Sequence, residues 1–81
     1  MKPAVARRLA EERTREELEA AAAHLAEEED PPFEVKGEDH GEQLTHVLLA
    51  QRIRALVDEG QDLKSAYRAV MGEVRGVLTN E

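Results

Sequence analysis

Apolar residues recur at helical spacing over most of this chain, and nowhere do they alternate at the two-residue period of a half-buried strand. The most extended stretch runs from Asp39 to Gly60. Asp39 stands in the N-cap position, and Glu42 three residues later gives the spacing of a capping box, with Asp in place of Ser or Thr. Gly60 suits the left-handed C′ position that ends many helices. At about 100° per residue, Leu49, Ala50, Ile53, Leu56 and Val57 share one broad face. Leu44, Leu48 and Ala55 share a second, roughly opposite. A helix on the outside of a monomer normally shows a single apolar stripe. Two stripes predict burial on two sides, and so short a chain is expected to lack the helices to cover both. A second copy is the simplest cover. The expected contact residues are Leu44, Leu48 and Ala55 with either Leu49 or Ile53, according to which stripe the last helix takes. A charge at Leu48 or Ile53 is then expected to give monomers or insoluble protein.

The flanking pattern adds further helices. Pro3 fits the first turn of a short helix, where its missing N–H is not needed. Thr14-Arg15-Glu16-Glu17 matches a capping box and favours a new helix, with one continuous helix over residues 3–29 as the alternative. Leu18, Ala21, Ala22 and Leu25 form the narrow stripe of that Ala-rich segment. Pro31 and Pro32 end it, and Phe33 and Val35 are expected to fold over the core edge from the loop that follows. After Gly60-Gln61, Asp62 caps a last helix whose Leu63, Ala66, Tyr67, Val70, Met71, Val74, Val77 and Leu78 make a clean core stripe. So short a link predicts an antiparallel helical hairpin. Ser65, Ala69, Gly72 and Gly76 make the opposite side, either a close-approach surface or a tolerant exposed one. The reading is a single all-α domain over residues 1–81, a small bundle of three to four helices at about 3–12, 15–29, 39–59 and 62–78, with a loop at 30–38.

Composition narrows the function classes. Eighty-one residues lie near the lower end of what folds alone. The absence of cysteine excludes disulfides, thiol catalysis and cysteine metal clusters and fits a reducing cytoplasm. No apolar run reaches the length of a membrane span or a signal-peptide h-region, so a soluble, unexported cytoplasmic protein is expected. The net charge of −7 is uneven: residues 1–15 hold five basic and two acidic side chains, and residues 16–39 one basic and ten acidic. Such a balance repels nucleic acid and anionic membrane unless a basic patch is set apart. The Arg-, Glu-, Ala- and Leu-rich composition fits a thermophile and equally a helical protein from a GC-rich genome.

Met1-Lys2 at the start, Gly41-Glu42 opening the long helix and the Glu59-Gly60 turn make a familiar pattern, followed by Asp62, Lys64, Ala66, Met71, Val74 and Gly76. From Gly41 onward the chain resembles a family of short helical bacterial proteins of unknown function, about as long as this one. The resemblance implies a bacterial helical protein and brings no activity with it. More faintly, the long helix, Gly turn and second helix are similar to the helical hairpin of carboxymuconolactone decarboxylase and alkylhydroperoxidase-D proteins. Those are oligomers. Their redox members need a Cys-x-x-Cys pair that this chain lacks.

Three groupings stand nearest to chemistry. His40, Glu42 and His46 approach a metal constellation, since Glu42 and His46 at i,i+4 can face one ion. A third or fourth ligand is missing, however, and His24 lies on another helix. The structural reading gives Glu42 to the cap and makes His46 a buried or interface histidine, with no metal assigned. Lys64, Arg68 and Arg75 line one edge of the last helix after a tight turn, as a recognition helix would. No Asn or Gln stands among them to read bases, and a solvated or ion-paired edge is preferred. Ser65, Thr14, Thr45 and Thr79 have no His–Asp partner that spacing reveals, so no catalytic residue is named. No cofactor is implied. The expectation is a self-associating cytoplasmic protein with a binding or structural role, acting on itself or on an unidentified protein partner, and not an independent enzyme. The alternatives are a nucleic-acid-binding regulator and a metal-dependent enzyme with its site at a subunit interface.

Overall fold

The computed structural model describes residues 2–79, with side chains as far as residue 74. Four helices make up the described chain: α1 (Pro3–Glu12), α2 (Arg15–Ala26), α3 (His40–Asp58) and α4 (Leu63–Thr79). No strand occurs among the described residues. The domain is a small all-α bundle. No described helix is long and apolar enough to cross a membrane.

Local chemistry sets each joint. Pro3 opens α1 at its first position, where the fixed φ favours the helix. The chain turns extended at Arg13, and Thr14 starts α2 with a complete capping box. Thr14 Oγ1 accepts the Glu17 N–H at 3.1 Å while Glu17 Oε1 accepts the Thr14 N–H at 2.8 Å. Residues 3–29 are therefore two helices, and the break is built from two hydrogen bonds. The Thr14 N–H, first among several partners, holds the Glu17 carboxyl below its ordinary range.

The second helix stops at Ala26, short of the expected residue 29. The helix ends in a Schellman motif: Leu25 C=O accepts the Glu28 N–H at 3.0 Å and His24 C=O accepts the Glu29 N–H at 2.9 Å. Glu28 sits at φ 59°, the only non-Gly residue with positive φ among those described. An acidic run is unfavourable inside a helix C-terminus, where the macrodipole prefers cations. Ending the helix early places Glu27 to Asp30 outside it. Because a side chain in the left-handed region costs about 1 kcal/mol, Glu28→Gly is expected to stabilise the protein by about 0.5–1 kcal/mol. Thermal denaturation should register this as a rise in Tm, at about 4–8 °C per kcal/mol for a domain of this size.

Asp39 caps α3, its Oδ1 accepting the Glu42 N–H at 2.8 Å. The Glu42 carboxylate reaches one residue farther back than a capping box requires, accepting the Glu38 N–H at 3.0 Å. The turn into α4 uses a second Schellman motif, with Gly60 at φ 112°. There Val57 C=O accepts the Gly60 N–H at 3.0 Å and Leu56 C=O the Gln61 N–H at 3.1 Å. Asp62 Oδ1 then accepts the Ser65 N–H at 2.7 Å. That backbone contact is the first cause of the lowered pKa of Asp62.

The core lies around α3, which packs against α1, α2 and α4. Leu18, Val47, Ile53 and Val70 are fully buried or nearly so, and Val35 reaches in from the loop. Phe33 packs against the core with the Arg13 guanidinium 4.1 Å above its ring, a cation–π contact. Arg54 bridges two elements: its Nη1 donates to the Ala10 carbonyl in the last turn of α1 at 3.1 Å, and its Nη2 to Asp58 at 3.0 Å. A cation on a helix C-terminal carbonyl suits the local dipole. On the outer edge Arg52 Nη2 donates to both oxygens of Glu73 at 2.9 and 2.8 Å, joining α3 to α4. The expected core positions Val77 and Leu78, with Arg75 and Gly76, lie outside the described side chains.

Three helices of one chain cover more of α3 than its pattern suggests. Of the broad stripe, Ala50 and Ile53 are fully buried, and Leu49, Leu56 and Val57 pack partly buried against the core. Ile53 is thereby sealed inside a single copy and is not available to a second. Of the opposite stripe, Leu44 also packs on the core and Ala55 is half-buried. Leu48 remains 48% exposed, the only large apolar side chain so placed among the described residues.

Candidate functional site

The residues singled out for chemistry fall into separate places. His46 is fully buried on α3. Its Nδ1 lies 2.7 Å from the Lys36 carbonyl oxygen, and its Nε2 accepts the Lys2 backbone N–H at 2.9 Å. A carbonyl only accepts, so Nδ1 carries the proton and Nε2 is bare: one neutral tautomer is selected. His40 turns to the loop, Nε2 against Asp30 Oδ1 at 3.1 Å. Glu42 bonds the Glu38 N–H, the first cause of its lowered pKa. The three side chains do not converge on one point, and no group of three His, Asp or Glu able to hold a metal occurs among the described residues. His24, on α2, lies 3.3 Å from Glu29.

The hydroxyls are engaged in local structure. Thr14 serves the cap of α2, Thr45 Oγ1 donates to the Gly41 carbonyl at 3.1 Å, and Ser65 sits against Asp62 at the start of α4. Thr79 lies beyond the described side chains. On α4, Lys64 and Arg68 are exposed, and Arg7 from α1 lies 5.7 Å over the neighbouring Tyr67 ring. The opposite side of α4, with Ser65, Ala69 and Gly72, is also exposed. A Cβ at Gly72 would meet nothing within 4 Å, so no close backbone approach within the chain requires that glycine.

An open depression of about 490 Å³ runs along the outer side of α1 to Glu34 and Lys36. Arg7, Arg8 and Lys36 are balanced there by Glu11, Glu12 and Glu34, and no histidine or hydroxyl lines it. The remaining feature with a directional character is the strip of α3 carrying Leu44, Leu48 and Ala55, the side that α1, α2 and α4 leave least covered. Periodicity found this strip. It did not find the ties of His46 and Arg54, which join residues 44 apart in the chain.

No curated protein and no solved structure matches this chain. The fainter likeness to carboxymuconolactone decarboxylase and alkylhydroperoxidase-D proteins is therefore not shown. Similarity to a family profile is extensive, reaching well ahead of Gly41 to take in α1 and α2. The match covers residues 1–79, and the chain belongs to the family described as "Family of unknown function (DUF6952)".

Proposed function

We propose that this protein is a small helical binding or structural module of the bacterial cytoplasm that pairs with a second copy through the open strip of α3. The observation that carries the reading is the position of Leu48: a large apolar side chain, 48% exposed, between half-buried Leu44 and Ala55 on the helix that otherwise forms the centre of the core. Arg52, on the same exposed side, is held by Glu73, which leaves a polar border beside an apolar strip. Covering the exposed half of each Leu48 contributes about 1 kcal/mol per copy, so the pairing is concentration-dependent and not obligate.

Leu48→Glu is expected to give a monomer with unchanged helix content and Tm, because the side chain is outside the core. Light scattering across a concentration series checks this. A wild-type protein that stays monomeric at millimolar concentration would end the reading. The exposed Lys64 and Arg68 beside Tyr67 support a second reading, binding of nucleic acid, and a salt-sensitive gel shift with random DNA separates the two.

A further inference from the structure

We propose that His46 is a proton-operated latch holding the start of α1 and the loop before α3 against the bundle. The ring is fully buried, and each nitrogen bonds the backbone of a different segment, Lys2 ahead of α1 and Lys36 in the loop. Only the neutral Nδ1–H form satisfies both. A proton added at Nε2 turns the acceptor into a donor pointed at the Lys2 N–H, and that bond is lost. With the ring wholly covered, water has no room to take the place of either partner while the segments stay seated.

The consequence spreads by one further bond. The Lys2 carbonyl accepts the Val5 N–H at 3.0 Å, so Lys2 closes the first turn of α1. Freeing Lys2 therefore loosens α1 from its N-terminal end, where Ala6 is the first fully buried residue. The charged groups about the ring are Glu42 one turn earlier on α3, Lys2 from the N-terminal segment and Lys36 from the loop.

The other histidines face carboxylates instead: His24 lies 3.3 Å from Glu29 and His40 lies 3.1 Å from Asp30. The capping carboxylates act in another range of pH. Glu17, Glu42 and Asp62 are held below ordinary values of 4.5, 4.5 and 3.8 by backbone N–H groups. Their contribution is complete above those ordinary values and is lost only as pH falls through the lower folded ones. Above about pH 5 the caps are therefore silent, and a change confined to the start of α1 there reports on the joint that His46 holds.

The test is nitrogen NMR on the full chain, with amide exchange. At about pH 7.5 the His46 ring should show a protonated Nδ1 and a bare Nε2. On acidification to about pH 5.5, exchange at Val5 and Ala6, corrected for the intrinsic rate, should rise about tenfold while Ile53 and Val70 stay protected. His46→Gln keeps an acceptor for the Lys2 N–H and takes up no proton, so the step should vanish in that variant. The opposite tautomer at neutral pH, pH-independent exchange at the start of α1, or the same step in the Gln variant would each overturn the latch. Should His46→Gln fail to fold, the two wild-type readouts decide the matter.

Discussion

Replacing Ile53 with alanine is expected to lower stability by about 2–5 kcal/mol, the usual cost of removing a large aliphatic side chain from a filled core. Ile53 is fully buried on α3, the helix that α1, α2 and α4 all contact. A domain of this length holds about 4–12 kcal/mol in total, so the variant should lie near the edge of folding. Urea denaturation checks the expectation: the midpoint should fall sharply with the slope unchanged. A charge at Ile53 should abolish folding outright, since an unpaired buried charge costs more than the cavity. This separates Ile53 from Leu48, where a charge is expected to alter association and leave the fold intact. A midpoint unchanged in Ile53→Ala would remove Ile53 from the core.

Gly37→Ala is expected to cost about 1–3 kcal/mol, the range for a side chain forced into a strained backbone and a crowded site. Gly37 lies at φ 156°, and a Cβ there would stand 2.8 Å from Gln43 Cγ and 3.0 Å from the Gln43 backbone nitrogen. Neither atom is the free end of a side chain that can swing aside, and the Gln43 Oε1 is itself buried without a hydrogen-bond partner. Relief must come from the loop, whose Lys36 carbonyl holds His46. Gly60→Ala is the control. Nothing lies within 4 Å of a Cβ at Gly60, so only the positive φ of 112° opposes it, at about 1 kcal/mol. Thermal denaturation should therefore rank the Gly37 variant below the Gly60 variant. The reverse order would mean that the loop does not press on the start of α3.

What sequence reading recovered, and what it missed, follows the range of each interaction. Thr14, Asp39 and Asp62 each satisfy a backbone N–H three residues on, so their chemistry is legible in a window of four residues. Gly60 is equally local. The early end of α2 was not legible, because nothing in an acidic run marks Glu28 as the residue that turns left-handed. The two stripes of α3 were drawn correctly as faces, but a helical wheel does not count the neighbours available to cover them. Ile53, one of the two alternatives with Leu49 for contact with a second copy, is covered by the same chain. The place of His46 beside the larger stripe marks it as a buried or an interface histidine, and it is buried. Its partners are not so marked, since they are backbone groups that any residue at positions 2 and 36 would present. Arg54 is equally silent in the sequence, since only the folded chain brings the Ala10 carbonyl to it.

The ties from Lys2 to His46 and from Ala10 to Arg54 have a temporal consequence. Each spans 44 residues, whereas the turns at Thr14, Glu28 and Gly60 close within six. Long loops are slow to close and local ones quick. Because α1 precedes α3 in the chain, it must wait, undocked, until α3 has been synthesised. The helix is made before the surface that seats it.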